Sequence, residues 1–68
     1  MAVLKVIEIM ASSNKSWEDA AMSAVKRTSK TVDNIRSVYI KDHSIKLSGK
    51  GDAEEYRVNC KITFEVGK

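Results

Sequence analysis

The sequence contains no proline and only one cysteine, one histidine, one tryptophan and three glycines among its 68 residues. Because Cys60 is the only cysteine, no disulfide can form within the chain, and Cys60 and His43 cannot supply the four ligands of a closed zinc site. A chain of this length buries only about 60% of the surface that its unfolded form exposes, so its own core stabilises it weakly. With disulfides and zinc excluded, the composition favours oligomerisation as the additional support.

Long hydrophobic runs are also missing. The most apolar stretch near the start, residues 6–11, contains Glu8 and is far shorter than the roughly 18 to 20 residues that cross a bilayer. The first five residues lack the basic and apolar regions of a signal peptide, and a single free thiol suits a reducing compartment. We therefore expect a cytoplasmic protein without a membrane partner.

The charge of the chain is modest, with twelve lysines and arginines against nine acids and a net charge of +3. The basic residues are spread along the sequence without forming a block, so nucleic acid is not an expected partner, and a small basic nucleic-acid-binding module is the remote alternative. No linker, repeat or low-complexity segment divides the chain. We expect one domain over residues 1–68.

The spacing of apolar residues predicts three strands and one helix. Residues 2–11 are apolar at both odd and even positions, which is typical of a strand covered on both faces, here by a helix and by another subunit. Ser16, followed three residues later by Asp19, resembles a capping box, so a helix should begin at Trp17 and run for about four turns. Its apolar stripe consists of Trp17, Ala20, Ala21, Ala24, Val25, Thr28 and Val32. A turn is expected at residues 33–34.

A second strand is predicted over residues 35–47. Its apolar positions change from even, at Val38 and Ile40, to odd, at Ile45 and Leu47, which requires a bulge or bend across residues 42–44. The glycine-containing residues 48–52 indicate a hairpin loop, and residues 56–66 alternate regularly as the last strand. The resulting fold class is α+β, with the order β-α-β-β and the last two strands as antiparallel neighbours.

We expect no enzyme activity from this sequence. His43 and its neighbour Asp42 point to opposite sides of a strand, so Asp42 cannot orient the imidazole as a catalytic triad requires. Cys60 shares the apolar parity of the last strand and should be a buried small residue. Trp17 is either packed in the core or a platform for stacking, and its phase with the alanines of the helix favours packing.

Three polar or aromatic residues are expected on the sheet face away from the helix: Ser37, Tyr39 and Arg57, with Ile35 beside them. Each has the parity opposite to the apolar residues of its strand. This face is either exposed to solvent, or it is where subunits meet and where a ligand is held.

Four segments of the chain resemble the dodecin family: residues 5–9 (KVIEI), 16–21 (SWEDAA), 31–35 (TVDNI) and the last strand, YRV followed by TFEV. The resemblance covers nearly the whole chain in length, order and motif position. It implies a three-stranded antiparallel sheet that partly wraps one helix. It also implies that twelve such chains form a hollow homododecamer of cubic symmetry, with small-molecule ligands between subunits.

Many dodecins stack flavin rings between tryptophans of two-fold-related subunits, with a glutamine bonding the ring edge, and so store a photoreactive cofactor. The resemblance therefore implies a flavin, riboflavin or FMN, as the ligand. In this sequence Ser37 occupies the tryptophan position and Arg57 the glutamine position. Ser37 has no π-face for stacking, whereas Arg57 can donate hydrogen bonds to a ring edge or a phosphate.

The departures from the family pattern suggest how the ligand could differ. Tyr39, two residues from Ser37, could replace the stacking platform, while the basic strands favour a phosphorylated ligand such as FMN or coenzyme A. A flavin-free shell that binds another anion or a metal ion is the alternative, with carboxylates gathered at a symmetry axis as ligands for Ca²⁺ or Mg²⁺. The candidate ligand-binding residues are Ser37, Arg57, Tyr39, Arg36 and Lys46, with Lys41 adding to the basic charge; the candidate carboxylates are Asp42, Asp52, Glu54 and Glu55.

Overall fold

A computed structural model describes residues 2–67. The elements are a first strand β1 (Leu4–Ser13), a helix α1 (Trp17–Thr28), a second strand β2 (Ile35–Leu47) and a third strand β3 (Ala53–Glu65). This is the order predicted from the sequence, although β1 lies two residues further along than expected and β3 begins three residues earlier and ends one residue earlier. No helix within residues 2–67 is long and apolar enough to cross a membrane.

Helix α1 begins where its cap predicts. The Ser16 hydroxyl accepts a hydrogen bond from the Asp19 amide at 3.0 Å, and the Asp19 carboxylate accepts one from the Ser13 hydroxyl at 2.6 Å. The expected four turns are wrong, because the helix ends at Thr28 and does not reach Val32. The amides of Lys30 and Thr31 bond to carbonyls three residues back, which tightens and closes the last turn.

The three strands form one antiparallel sheet in the order β1-β3-β2. Because β3 is the central strand, its inner side packs against α1, and this burial explains its regular alternation. The core consists of Ala20 and Ala24 from the helix with Val58, Cys60 and Ile62 from β3, each at most 4% exposed. The small alanine side chains let the helix lie close to the sheet.

Bulges in β2 determine which of its side chains face the helix. The predicted irregularity is confirmed but lies slightly earlier, at Lys41, which is the extra residue between Ile40 and Asp42 in the pairing with β3. A second bulge lies at Arg36. It corrects the placement of Ile35, which lies opposite Phe64 and packs against the core instead of on the outer side.

Candidate ligand-binding face

The side of the sheet away from α1, here called the outer face, is covered by nothing else within residues 2–67. Four large side chains on it are more than half exposed: Leu4 at 55%, Val6 at 52%, Met10 at 79% and Tyr39 at 65%. This explains the two apolar sides of β1, since Ile7 and Ile9 pack against the core while the even-numbered residues face outward. An apolar area of this kind on a small domain is typical of an interaction surface.

The strand register places outward residues of β1, β3 and β2 side by side, so that the outer face consists of rows with one residue from each strand. Ser37 lies beside Thr63, and Tyr39 lies beside Lys61. Arg57 lies further along, because six residues of β3, about 20 Å at about 3.3 Å each, separate it from Thr63. Ser37 and Arg57 therefore share a face but cannot contact the same small ligand within one protomer.

Each of the two candidate arginines already pairs with a carboxylate. Arg36 donates to the Glu65 carboxylate through Nε at 3.1 Å and Nη2 at 2.7 Å. Arg57 donates through Nε to Glu55 at 3.0 Å, and Lys46 is the neighbour of Glu55 on β2. The four side chains of these ion pairs are between 34% and 56% exposed, so solvent screens the pairs and a ligand can replace either partner.

A groove of about 510 Å³ lies around Arg57 at the end of the outer face that is far from Ser37. It brings together hydroxyl, amide, carboxylate and guanidinium groups beside the apolar side chain of Met10. Its lining consists of Met10, Ala11, Ser12, Asp42, His43, Ser44, Glu55, Arg57, Val58 and Asn59. Of the five predicted ligand-binding residues, only Arg57 lines it.

Ser12, Ser44 and Asn59 were not among the ligand-binding residues predicted from the sequence. Ser12 and Ser44 become neighbours of Arg57 only through the pairing of β3 with the other two strands, whereas Asn59 lies two residues from Arg57 on the same side of β3. Their parity relative to the apolar positions was visible in the sequence, but a single sequence does not reveal the register of strands that are far apart in the chain.

The opposite side of the sheet holds an aromatic cluster of Trp17, His43 and Tyr56. The Trp17 ring meets His43 edge to face with 4.7 Å between centroids and Tyr56 with 5.4 Å, and its Nε1 donates to the Ser44 carbonyl at 3.0 Å. Trp17 is therefore packed, as predicted. His43 faces this cluster while Asp42 lies in the outer groove, so the two do not form a catalytic pair.

Cys60 is fully buried in the core, where its thiol lies 3.5 Å from the Ile9 carbonyl. Burial raises the pKa of the Cys60 thiol because the charged thiolate would lose its hydration. The thiol is thus the small buried side chain expected from its parity, and it lies away from the groove.

Within residues 2–67, no group of three or more histidine, cysteine, aspartate or glutamate residues is placed to hold a metal ion. The four candidate carboxylates do not form one cluster: Asp42 and Glu55 line the groove, Glu54 and Glu55 face a neighbouring cavity together with Asp19, and Asp52 lies exposed in the hairpin loop. A metal site made from these residues would need ligands from more than one protomer.

The fold and the open outer face define a small α+β domain whose sheet covers a helix on one side only. The family model described as dodecin matches residues 3–67. The chain is 35% identical over 66 residues to a calcium dodecin from Mycobacterium tuberculosis, covering 97% of this chain and 92% of that protein. This chain belongs to the dodecin family, as its sequence motifs predicted.

Solved structures agree with this assignment. A crystal structure of the calcium-chelating calcium dodecin from Mycobacterium tuberculosis, described as having a novel calcium-binding site, is similar with a TM-score of 0.81 and 34% identity, covering 96% of this chain and 91% of that one. A mutant of the Thermus thermophilus dodecin has a TM-score of 0.90 at 24% identity, with both chains covered completely. The latter likeness supports the fold, which is the predicted β-α-β-β arrangement.

Proposed function

We propose that this protein forms a homo-oligomeric shell of twelve chains that binds and stores a small ligand between its subunits. The observation that carries the proposal is the outer face, where Leu4, Val6, Met10 and Tyr39 remain more than half exposed. A single chain of 68 residues gains little stability from its own core, and covering these side chains with further copies would supply the missing burial.

Native mass spectrometry tests the assembly directly. The expected mass is about 91 kDa, twelve times the 7.6 kDa of one chain. A monomer or dimer at micromolar concentration would contradict the proposal, whatever the ligand.

Calcium is the ligand that the relatives favour, because the Mycobacterium tuberculosis protein, 35% identical to this chain, is a calcium dodecin. The exposed carboxylates of this chain are oxygen ligands of the kind that Ca²⁺ prefers. Since one protomer offers no cluster of three such groups within residues 2–67, the ion would be held where several protomers meet.

Isothermal titration calorimetry with CaCl₂, after removal of metal with a chelator, tests this ligand. Binding with a stoichiometry below one ion per chain is expected if protomers share each site. Asp42→Asn and Glu54→Gln then identify which carboxylates take part, and the absence of any binding heat at millimolar Ca²⁺ would exclude calcium.

A flavin is the second candidate, and two features of the outer face favour it. Tyr39 offers an exposed ring on the same face as Ser37, and Arg57 offers hydrogen-bond donors for a ring edge or a phosphate. Because Ser37 and Arg57 are about 20 Å apart along β3, a flavin that used both would lie between two protomers.

Fluorescence quenching of riboflavin and FMN tests this candidate. Quenching by the wild type that is lost in Tyr39→Ala would support a shifted stacking site, with Met22→Ala, at an exposed position of the helix, as the control that leaves it unchanged. Tighter binding of FMN than of riboflavin would assign the basic residues Arg36, Arg57 and Lys46 to a phosphate. Unchanged fluorescence at equimolar protein would remove flavin from consideration.

A further inference from the structure

The end of α1 carries a cluster of basic side chains that the proposed function does not use. Lys26 and Arg27 lie in the last turn of the helix, and Lys30 lies in the turn that follows it. All three are exposed, whereas the buried Ala20 and Ala24 lie on the side of the helix that packs against the sheet. The cluster is therefore on the helix side of the molecule, and further copies that cover the outer face do not by themselves cover it.

A fourth basic residue, Lys5 of β1, joins this cluster through the fold. Lys5 alternates with Ile7, which packs against the core, so Lys5 lies on the helix side of the sheet. In the register it pairs with Phe64, which also pairs with Ile35, the first residue of β2 after the helix. This row places Lys5 at the end of the sheet where the helix ends. The four side chains at this end, here called the basic patch, are Lys5, Lys26, Arg27 and Lys30.

Charge is distributed unevenly between the two ends of the molecule. Within residues 2–67 no residue of the basic patch forms an ion pair, and of the two acids at this end Glu65 is already paired with Arg36, which leaves Asp33. The opposite end, formed by the start of the helix and the hairpin loop, holds five of the nine acids: Glu18, Asp19, Asp52, Glu54 and Glu55. The excess of basic charge that gives the chain a pI of about 9.2 is thus concentrated at one end, as in proteins that bind polyanions.

The surroundings of the basic patch indicate which polyanion it fits. Among the described residues it contains no exposed aromatic side chain on which the bases of a single strand could stack, since Trp17 is packed at the other end of the helix and Tyr39 lies on the outer face. The apolar side of α1 is buried against β3, so the helix cannot insert into a lipid surface. Charge without stacking or insertion favours the phosphate backbone of a duplex.

We propose that the basic patch binds the phosphate backbone of duplex nucleic acid without reading its sequence. Each of the four cations contacts a phosphate, and no base is contacted. The patch lies within one protomer, so the contact does not require the shell; the avidity of twelve patches on one particle rests on the proposed function. The four residues come from separate segments of the chain, which is why the sequence alone did not favour nucleic acid as a partner.

Fluorescence anisotropy of a labelled DNA duplex of about 20 base pairs tests the proposal with the full-length protein. Binding is expected at about 50 mM NaCl, and a duplex of unrelated sequence should bind within about twofold as tightly. For three or four phosphate contacts, raising NaCl from about 50 to about 200 mM should weaken binding about 40- to 150-fold.

The test variant removes two cations of the patch, Lys26→Gln and Lys30→Gln together. It should weaken duplex binding about tenfold at low salt and reduce the salt slope by about two. These lysines also complement the negative end of the helix dipole, so circular dichroism and native mass must match the wild type. Lys5→Gln leaves the helix untouched and should weaken binding about threefold, which keeps the proposal testable if the double variant unfolds.

The control variant removes the same charge from the opposite end, Lys15→Gln and Lys50→Gln together. Both lysines are exposed, and the helix, about 18 Å long, separates this end from the basic patch. Salt at about 50 mM screens charges beyond about 14 Å, so the control should change duplex binding by less than about twofold.

Three results would overturn the proposal. The first is no change in anisotropy with the wild type at about 50 mM NaCl. The second is an equal loss of binding in the test and control variants, which would show attraction by net charge only. The third is sedimentation of the protein with vesicles of phosphatidylserine and phosphatidylcholine but no binding to the duplex, which would assign the patch to a lipid surface. Native mass spectrometry of the same samples reports the shell independently, so failure of this contact and failure of the proposed shell are distinguishable.

Discussion

Glu8 and Lys41 form an ion pair that crosses the central strand. Their side chains meet at 3.3 Å, although Glu8 is on β1 and Lys41 on β2, with β3 between them. Lys41 faces outward by its alternation with Tyr39, and because it is the extra residue of the bulge, the next residue, Asp42, faces outward as well. The bulge thus places Tyr39, Lys41 and Asp42 on one side of the sheet, which a regular alternation would not do.

This geometry separates the role of the Lys41 side chain from that of its backbone. The ion pair is about half exposed, so Lys41→Ala should lower the free energy of unfolding by no more than about 1 kcal/mol. Deletion of Lys41 should cost only a little more, about 1 to 2 kcal/mol, because it removes the extra residue while Ile40 stays opposite Cys60 and Asp42 stays opposite Asn59. Urea denaturation measures both variants, and a deletion that costs more than about 3 kcal/mol would show that the fold requires the bulge itself.

A second prediction concerns Trp17, which links the start of the helix to β2 through a hydrogen bond to the Ser44 carbonyl. Trp17→Phe should lower the free energy of unfolding by about 1 kcal/mol, because an aromatic ring remains but the hydrogen bond to the Ser44 carbonyl is lost. Trp17→Ala should cost about 2 to 4 kcal/mol, because the edge-to-face contacts with His43 and Tyr56 disappear as well. Denaturant titrations measure both variants, and an equal loss of unfolding free energy in Trp17→Phe and Trp17→Ala would contradict a separate contribution from the ring contacts.

The alanine stripe of α1 leads to a third prediction. Ala20 is fully buried between the helix and β3, where there is no room for a larger side chain. Ala20→Leu should therefore destabilise the protein by about 1 to 3 kcal/mol despite its added apolar surface. Ser23→Leu, on the exposed side of the same helix, is the matched control and should change stability by less than about 0.5 kcal/mol. Thermal unfolding of the two variants measures the difference. An Ala20→Leu variant as stable as the wild type would show that the contact between the helix and β3 is loosely packed.

The buried thiol leads to a pH-dependent prediction. Burial raises the pKa of Cys60 above the ordinary value of 9.0, so the folded state holds this proton more tightly than the unfolded state. The resulting stabilisation is fully present below pH 9.0 and is lost as the pH rises from there through the folded pKa. Cys60→Ala lowers stability at every pH but should remove this part of the alkaline decline. Urea denaturation at a series of pH values from neutral to alkaline, with both proteins, measures the difference in slope; identical slopes would contradict it.

The accuracy with which the sequence predicted the inward and outward residues differs from strand to strand. β3 is buried on one side over its central part, so its period of two was unambiguous and its inner residues from Tyr56 to Phe64 were correctly identified, whereas Val66 is exposed and lies past the end of the strand. In β2 the change of parity predicted a bulge near Asp42, but the bulge at Arg36 left no such signal, and Ile35 was assigned to the wrong face. The groove could not be predicted, because Ser12 and Arg57 are 45 residues apart and meet only through the register.

The last prediction tests whether the outer face, and not the helix, is where protomers meet. Val6 on the outer face and Met22 on the helix are exposed to a similar extent, 52% and 58%. Neither contributes to the core, so an aspartate at either position should alter the stability of one protomer by no more than about 0.5 to 1 kcal/mol. If further copies cover the outer face, however, Val6→Asp places a charge in an apolar contact that is repeated in every subunit, and burying it unpaired would cost several times more. We therefore expect Val6→Asp to dissociate the assembly in native mass spectrometry while Met22→Asp keeps the mass of the wild type. The reverse result would assign the subunit contacts to the helix and leave the outer face, with its groove, open to solvent.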